Sequence, residues 1–116
     1  MNPIHENIVK KLISLTEKGD IKWSSTSLQD KYSTTLAPYV ISIYVDRNME
    51  FMPLLNHIMA EIEFSETSGE VFDKTTLYES NSKDYNLLSS LQDMAHRQAL
   101  GIDKKLSDIN QLLGEH

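Results

Sequence analysis

Seven consecutive residues, Tyr39–Val45, constrain the fold of this sequence more than any other segment does. Six of the seven are β-branched or aromatic, and such side chains fit the pleated surface of a β-sheet. Pro38 precedes the run and Asp46-Arg47-Asn48 follows it, so residues typical of turns bound both ends. Because neither face of the run is mostly polar, we predict a central strand that is covered on much of both sides.

The segment before this run carries a weaker strand signal. Ile21 and Trp23 alternate with the polar Lys22, which predicts a short strand. The polar stretch 24–29 that follows is typical of a loop.

A hairpin is predicted after the central run. Apolar and polar residues alternate over 58–64, and Val71-Phe72 resumes the strand signal beyond Thr67-Ser68-Gly69, a turn sequence. The stretch Met52-Pro53-Leu54-Leu55 is interpreted as a buried turn. Together the strand segments predict an antiparallel sheet of about four to five strands.

The length of the hairpin loop sets the register of its two strands. A two-residue loop places Phe64 opposite Asp73 and Glu63 opposite Lys74. A three-residue loop with a left-handed glycine places Phe64 opposite Phe72 and Glu63 opposite Asp73. An aromatic cross-strand pair contributes up to about 1 kcal/mol, whereas solvent screens the like charges. We therefore predict the three-residue loop.

The N-terminus is predicted to form a helix over residues 3–18. Asn2 is a favourable N-cap, and Pro3 suits the first helical position because its missing N–H needs no partner there. Gly19 is a natural stop for the helix. The apolar stripe comprises Ile4, Ile8, Leu12 and Leu15.

The last third of the chain is also helical in pattern, with Asn81 or Ser82 as its cap. Its apolar stripe comprises Leu88, Leu91, Ala95, Ala99, Ile102, Leu106, Ile109 and Leu113. Because this rhythm continues through Gly101, we predict one helix of about thirty residues. The fold class is then α+β: a single domain, residues 1–116, in which a long C-terminal helix packs on one face of the sheet.

Several kinds of chemistry have no support in the sequence. The chain has no cysteine and only four glycines, so thiolate chemistry and glycine-rich phosphate loops are excluded. The four histidines are scattered, and no metalloprotease or nucleophile-elbow motif is present. We expect neither enzyme activity nor a cofactor. With no apolar run long enough to span a bilayer and no signal peptide, we expect a cytoplasmic location.

The acidic charge is concentrated in one region. The net charge of the chain is −6, and residues 61–84 contain seven acidic residues and two lysines, a net charge of −5. We therefore expect no binding of nucleic acid, whose phosphates such a region would repel. The favoured interpretation is a solvated sheet face that aids solubility. A docking surface for a basic protein partner is the functional alternative, and a weak cation site on clustered carboxylates is a less favoured one. The candidate residues are Glu61, Glu63, Glu66, Glu70 and Asp73.

The C-terminal stripe is a second candidate interaction surface. It is about 38 Å long at the rise of an α-helix, longer than a compact domain of this size needs. We expect its end to overhang the sheet, covered either by the N-terminal helix or by a second copy of the chain in a homodimer. The candidate residues are Ile102, Leu106, Ile109 and Leu113.

Two segments carry a family resemblance. Residues 16–23, Thr-Glu-Lys-Gly-Asp-Ile-Lys-Trp, close the first helix and enter the sheet through a tryptophan. Residues 91–103 lie inside the last helix and are followed by Ile109 and Leu112-Leu113. This arrangement resembles a group of small, uncharacterised bacterial proteins built as helix, antiparallel sheet and long helix. The resemblance implies a fold and no activity.

These observations lead to two functional hypotheses. The first is a non-catalytic cytosolic interaction protein, an accessory or neutralising module that uses the acidic region or the C-terminal helix. The alternative is a small ligand-binding protein or hydrolase whose site is assembled from scattered polar residues. A deep pocket with convergent polar groups favours the alternative, and a flat acidic or apolar patch favours the first.

Overall fold

A computed structural model of the protein describes residues 1–46, 58–78 and 82–116. Its elements are α1 (Pro3–Glu17), β1 (Ser24–Ser25), β2 (Lys31–Leu36), β3 (Tyr39–Val45), β4 (Ala60–Glu66), β5 (Val71–Leu77), α2 (Lys83–Ala99) and α3 (Ile102–Gly114). The predicted α+β class is confirmed. The turn expected at residues 52–55 lies outside the described residues.

The five strands form one antiparallel sheet in the order β1-β2-β3-β4-β5. Each strand therefore pairs with its neighbour in sequence, and β3 is the middle strand. Its core-facing side chains, Ile41, Ile43 and Val45, are buried. Val40, Ser42 and Tyr44 on the opposite face are only half-buried and do not belong to the core cluster. Much of both faces of this strand is therefore covered, as predicted, although only one face belongs to the core.

Helices α1 and α2 pack on the core face of the sheet. The core cluster contains Trp23, Ile41, Ile43 and Leu91, so the sheet and α2 share one core. Both helices begin at the same end of the domain, because Lys83 Nζ lies 3.0 Å from Glu6 Oε1. This contact lowers the pKa of Glu6 and raises that of Lys83.

Helix α1 begins and ends as predicted. The Asn2 side chain accepts a hydrogen bond of 2.7 Å from the His5 backbone N–H. Pro3 occupies the first turn, where a missing N–H has no cost. Gly19 follows the helix with φ of 76°, a left-handed conformation that other residues adopt only with strain.

The β4–β5 hairpin combines the two registers considered above. The loop is Thr67–Gly69, as predicted, and Glu66 N–H donates to Glu70 O at 2.8 Å across it. A β-bulge then shifts the pairing between Phe64 and Ser65. Phe64 consequently faces Asp73, so the predicted Phe64–Phe72 pair is wrong.

Phe72 is the extra residue that this bulge accommodates, since Ser65 pairs with Val71 and Phe64 pairs with Asp73. The Phe72 ring instead packs edge-on against Tyr39, with centroids 5.6 Å apart. The aromatic contact is thus made between the two hairpin ends rather than across the β4–β5 ladder.

The C-terminal region is two helices, so the prediction of one long helix is wrong. Gly101 separates them with φ of 60° and ψ of 38°, a left-handed conformation that ends α2. Leu100 N–H donates to His96 O at 3.1 Å as part of this ending. Helix α3 then continues at a new angle, with Gly101 as its N-cap residue.

The second helix projects from the domain. None of the residues of α3 is buried. The radius of gyration is 15.6 Å, and the principal extents are 51 × 37 × 26 Å, whereas a compact chain of this length has a radius of about 13 Å. The expected overhang of the C-terminal stripe is confirmed.

Candidate functional site

The acidic residues of the sheet do not form one surface. Glu61 and Glu63 lie on the open face of β4 and are half-buried. Lys74 Nζ is 3.8 Å from Glu61 Oε1, and Lys31 Nζ is 3.0 Å from Glu63 Oε2. Both carboxylates are therefore largely neutralised by neighbouring lysines, which weakens their field toward a partner.

Asp73 lies on the other face of the sheet, contrary to the predicted grouping with Glu61 and Glu63. Its Oδ2 atom is 2.8 Å from His5 Nε2, and its Oδ1 atom accepts the Lys74 backbone N–H at 2.9 Å. These two hydrogen bonds hold the pKa of Asp73 below its ordinary value, the bond from His5 being the larger cause. Within the described residues, no group of three or more potential ligand side chains could hold a metal ion.

A concavity of about 320 Å³ lies on the open face between Lys31, Tyr44 and the two carboxylates Glu61 and Glu63. The pKa of the Tyr44 phenol is raised, mainly by burial and further by nearby carboxylates. The two carboxylates that line the concavity are the same ones that the lysines pair. Among the described residues, the charged groups that line this hollow are thus already engaged in ion pairs.

A second hollow, of about 380 Å³, lies on the core side of the sheet at the N-terminal end of α1. We call it the α1 groove. Its apolar lining includes Ile4, Ile8, Leu36, Tyr39, Phe64 and Phe72. Four of these side chains are substantially exposed, namely Ile4 at 72%, Phe72 at 54%, Tyr39 at 47% and Leu36 at 46%. Contiguous exposed apolar side chains of this kind mark interaction sites more often than isolated ones do.

The ends of two hairpins build one wall of the α1 groove. Thr67 N–H donates to Pro38 O at 3.1 Å, which ties the β4–β5 turn to the β2–β3 turn. Glu66 pairs with Tyr39 across the β3–β4 ladder, and Glu70 closes the adjacent turn. Acidic residues therefore stand next to an apolar hollow.

His5 forms part of the floor of this groove. It is only 5% exposed, and its ring lies 5.1 Å from that of Phe64. Nδ1 is 2.5 Å from Thr75 Oγ1, and Nε2 is bonded to Asp73. With both ring nitrogens bonded to protein groups, His5 positions β5 against α1 and has no nitrogen left for a proton transfer to a substrate.

Helix α3 carries the second set of candidate residues. Ile102 is half-buried at the junction, whereas Leu106, Ile109 and Leu113 are 53%, 52% and 67% exposed. Leu112, which the sequence analysis did not select, is 57% exposed beside them. All four stripe positions thus lie on one helix, and three of them face solvent.

An ion pair supports the junction between α2 and α3. Arg97 Nη2 donates to Asp103 Oδ1 at 2.6 Å, and this bond raises the pKa of Arg97. Together with the backbone of Gly101, the pair restricts the angle at which α3 leaves the domain.

The two segments that carry the family resemblance meet in the structure. The Trp23 indole Nε1–H donates to Thr16 Oγ1 at 3.0 Å, and the Trp23 backbone N–H donates to Gln98 Oε1 at 2.6 Å. Gln98 Nε2 donates to Ile21 O at 2.7 Å. The side-chain amide of Gln98 thus bonds the backbone of residues 21–23, which were predicted to form a short strand. That prediction is wrong, because β1 begins only at Ser24. These residues form a structural joint rather than a site.

No protein-family model matches the chain, and neither a curated protein nor a solved structure is significantly similar to it. Among the described residues, no helix is long and apolar enough to cross a membrane. The described residues present three candidate surfaces: the ion-paired open face, the α1 groove and the projecting helix α3.

Proposed function

We propose that this protein is a non-catalytic interaction module whose docking element is α3. The observation that carries the proposal is that a helix with a regular apolar stripe has no buried residue. An amphipathic helix is stabilised mostly by packing its apolar face, so this face needs a partner. The module acts by inserting α3 into a groove of another protein chain.

The structure favours α3 over the acidic region, the other surface considered for this role. Glu61 and Glu63 are paired with lysines, and Asp73 is bonded to His5 on the opposite face. Little unpaired negative charge remains on the open face to attract a basic partner. The apolar side chains of α3 from Leu106 onward, in contrast, are half exposed or more to solvent in the part of the chain that the structure describes.

The size of the exposed stripe indicates the strength of docking. The exposed fractions of Leu106, Ile109, Leu112 and Leu113 lie between 52% and 67%. Completing the burial of one such side chain contributes about 1 kcal/mol, or about 4 kcal/mol for the set. Because association itself costs at least about 4 kcal/mol, the partner must also bury part of its own apolar surface.

The charges of α3 define the partner further. Lys104 and Lys105 precede Leu106, and Asp103 at the same end is already paired with Arg97. Within the described ranges neither lysine forms an ion pair, so the N-terminal half of the helix presents an apolar stripe beside basic charge. We expect a groove with an apolar floor and an acidic rim.

A double substitution within the stripe tests this function. At a protein concentration where the wild type is monomeric, Ile109→Glu plus Leu113→Glu should leave the thermal midpoint unchanged, since both side chains already face solvent. The change should weaken association by at least about 30-fold, the equivalent of about 2 kcal/mol. Sedimentation velocity between about 1 µM and about 1 mM, a range that covers affinities of that order, measures the effect.

The matched control is Ser107→Glu plus Gln111→Glu, which adds the same charge to the same helix away from the stripe. It should associate like the wild type. A stripe variant that melts several degrees lower would contradict the proposal, because α3 would then pack on its own domain. A stripe variant that associates as strongly as the control would also contradict it.

A further inference from the structure

We infer that the groove which receives α3 is the α1 groove of a second copy of this chain, in a reciprocal two-fold dimer. The inference rests on the proposed function, since it names the partner of the same docking helix. Among the described residues, α3 is an amphipathic helix with no buried residue, and the α1 groove is an open apolar hollow. A dimer in which each helix enters the hollow of the other chain covers both surfaces.

The α1 groove has the form that an amphipathic helix requires. Its volume of about 380 Å³ falls in the usual range of binding hollows, about 300–1,000 Å³. Ile4 and Ile8 lie one turn apart on α1 and form one wall, while Tyr39 and Phe72 form the opposite one. A third helix can lie along α1 between these walls, with its apolar stripe directed at Phe64.

Charge complementarity supports the same occupant. Glu66 and Glu70 lie at the hairpin end of the groove, whereas Lys74 lies on the other face of the sheet and contacts Glu61. The helix offers Lys104 and Lys105 immediately before Leu106. Opposite charges at the rim of an interface fix its register and speed association.

In the structure, α3 does not fill the groove of its own chain, since none of its residues is buried. Thr16 and Glu17, at the C-terminal end of α1, line a shallow hollow together with Asp103 and Lys104. Helix α3 therefore begins at one end of α1, and the groove lies at the other. The 15 residues of α1 separate the two by about 22 Å. A second chain in the antiparallel orientation brings its groove beside α3, and a two-fold axis makes both contacts equivalent and closes the assembly.

The area that a stable dimer needs favours this arrangement over simple pairing of two α3 helices. With 13 residues, α3 is about 20 Å long and about 10 Å wide. One face of that size is far smaller than the roughly 800 Å² that each partner buries in a standard interface. The reciprocal arrangement gives each chain two contacts, one through its helix and one through its groove.

Disulfide trapping tests the contact directly, because the chain has no cysteine. Ile109→Cys places a thiol on the helix and Phe72→Cys places one in the groove, both at exposed positions. One variant carries a small affinity tag, so that mixed and self-linked dimers separate by size. We expect the mixed disulfide to form at least about tenfold faster than either self-linked species, since thiols that lie apart cannot bridge.

The outcomes distinguish failure of the inferred groove contact from failure of the proposed function. Rapid self-linking of the Ile109→Cys chain alone would overturn the groove inference and leave α3 as the docking element. A wild-type chain that sediments as a monomer up to about 1 mM, with no disulfide in any mixture, would overturn both.

A charge exchange provides an independent arm of the test. Glu66→Lys plus Glu70→Lys should weaken dimerisation by about tenfold, as like charges then meet at the rim. A chain that also carries Lys104→Glu plus Lys105→Glu should regain most of the loss. No recovery in the fourfold variant would contradict the inference.

Discussion

Substitution of Gln98 tests how α2 stabilises residues 21–23, the segment that leads into the sheet. Its side-chain amide accepts the Trp23 N–H at 2.6 Å and donates to Ile21 O at 2.7 Å. Gln98→Ala leaves both backbone groups without this partner, at about 1–3 kcal/mol for each buried group. Because Gln98 is half-buried, water replaces part of the loss, and we expect a net cost of about 2 kcal/mol.

Urea unfolding followed by the fluorescence of Trp23, the single tryptophan of the chain, measures this cost. A loss of that size lowers the thermal midpoint by about 8 °C in a domain of this length. Gln98→Glu should be at least as destabilising, since a carboxylate would face the Ile21 carbonyl oxygen. The control, Gln111→Ala on the exposed helix, should remain within about 0.5 kcal/mol of the wild type. A Gln98→Ala variant within that same margin would refute the reasoning.

Three further perturbations have defined outcomes. Thr16→Val removes the acceptor of the buried Trp23 indole N–H, and urea unfolding should register a loss of about 1–3 kcal/mol. Gly101→Ala forces a β-carbon into a left-handed conformation at φ of 60°, so the same assay should show a cost of about 1 kcal/mol. The lowered pKa of Asp73, caused first by the bond from His5, means that its contribution is complete above pH about 4 and lost as pH falls through the lowered pKa. The stability difference between wild type and Asp73→Asn should therefore shrink below pH about 4 in a series of urea titrations.

The strongest local signals of the sequence predicted the elements that they belong to. The Asn2 cap, Pro3 and Gly19 determined the limits of the first helix because each acts on its nearest backbone groups. The run 39–45 became the middle strand because β-branched and aromatic side chains suit a pleated surface. Both signals are local, so no knowledge of distant contacts was needed.

Strand β2 could not be recognised in the same way. Its buried residues are Tyr32 and Thr34, and a buried threonine resembles a loop residue in a sequence pattern. Its hydroxyl donates to Lys22 O at 2.8 Å, which satisfies the polar group inside the sheet. That partner is distant in sequence and becomes visible only in the folded chain.

The helix break at Gly101 was missed because the apolar rhythm persists across it. A single left-handed residue changes the direction of the axis without changing the spacing of the stripe. The spacing from Leu88 to Leu113 therefore describes two surfaces, one buried under α2 and one exposed on α3. Periodicity alone does not distinguish these surfaces.

The candidate site was only partly predictable for a related reason. The exposed stripe of α3 follows from sequence spacing, and its residues were selected correctly as lying on one helix. The α1 groove joins Ile4, Tyr39 and Phe72 from three separate elements, and the bulge that turns Phe72 toward Tyr39 has no clear local signature. In the sequence, Ile4 at the end of the first apolar stripe was the residue that indicated an apolar surface at this place.

Amide hydrogen exchange of residues 102–114 at increasing protein concentration tests the central claim most directly. The isolated chain should exchange these amides quickly, because no residue of α3 is buried and short unpacked helices are marginally stable. Protection of this segment should then rise with concentration as the helix docks, while protection of α2 stays constant. Protection of α3 that equals that of α2 at every concentration would contradict the account.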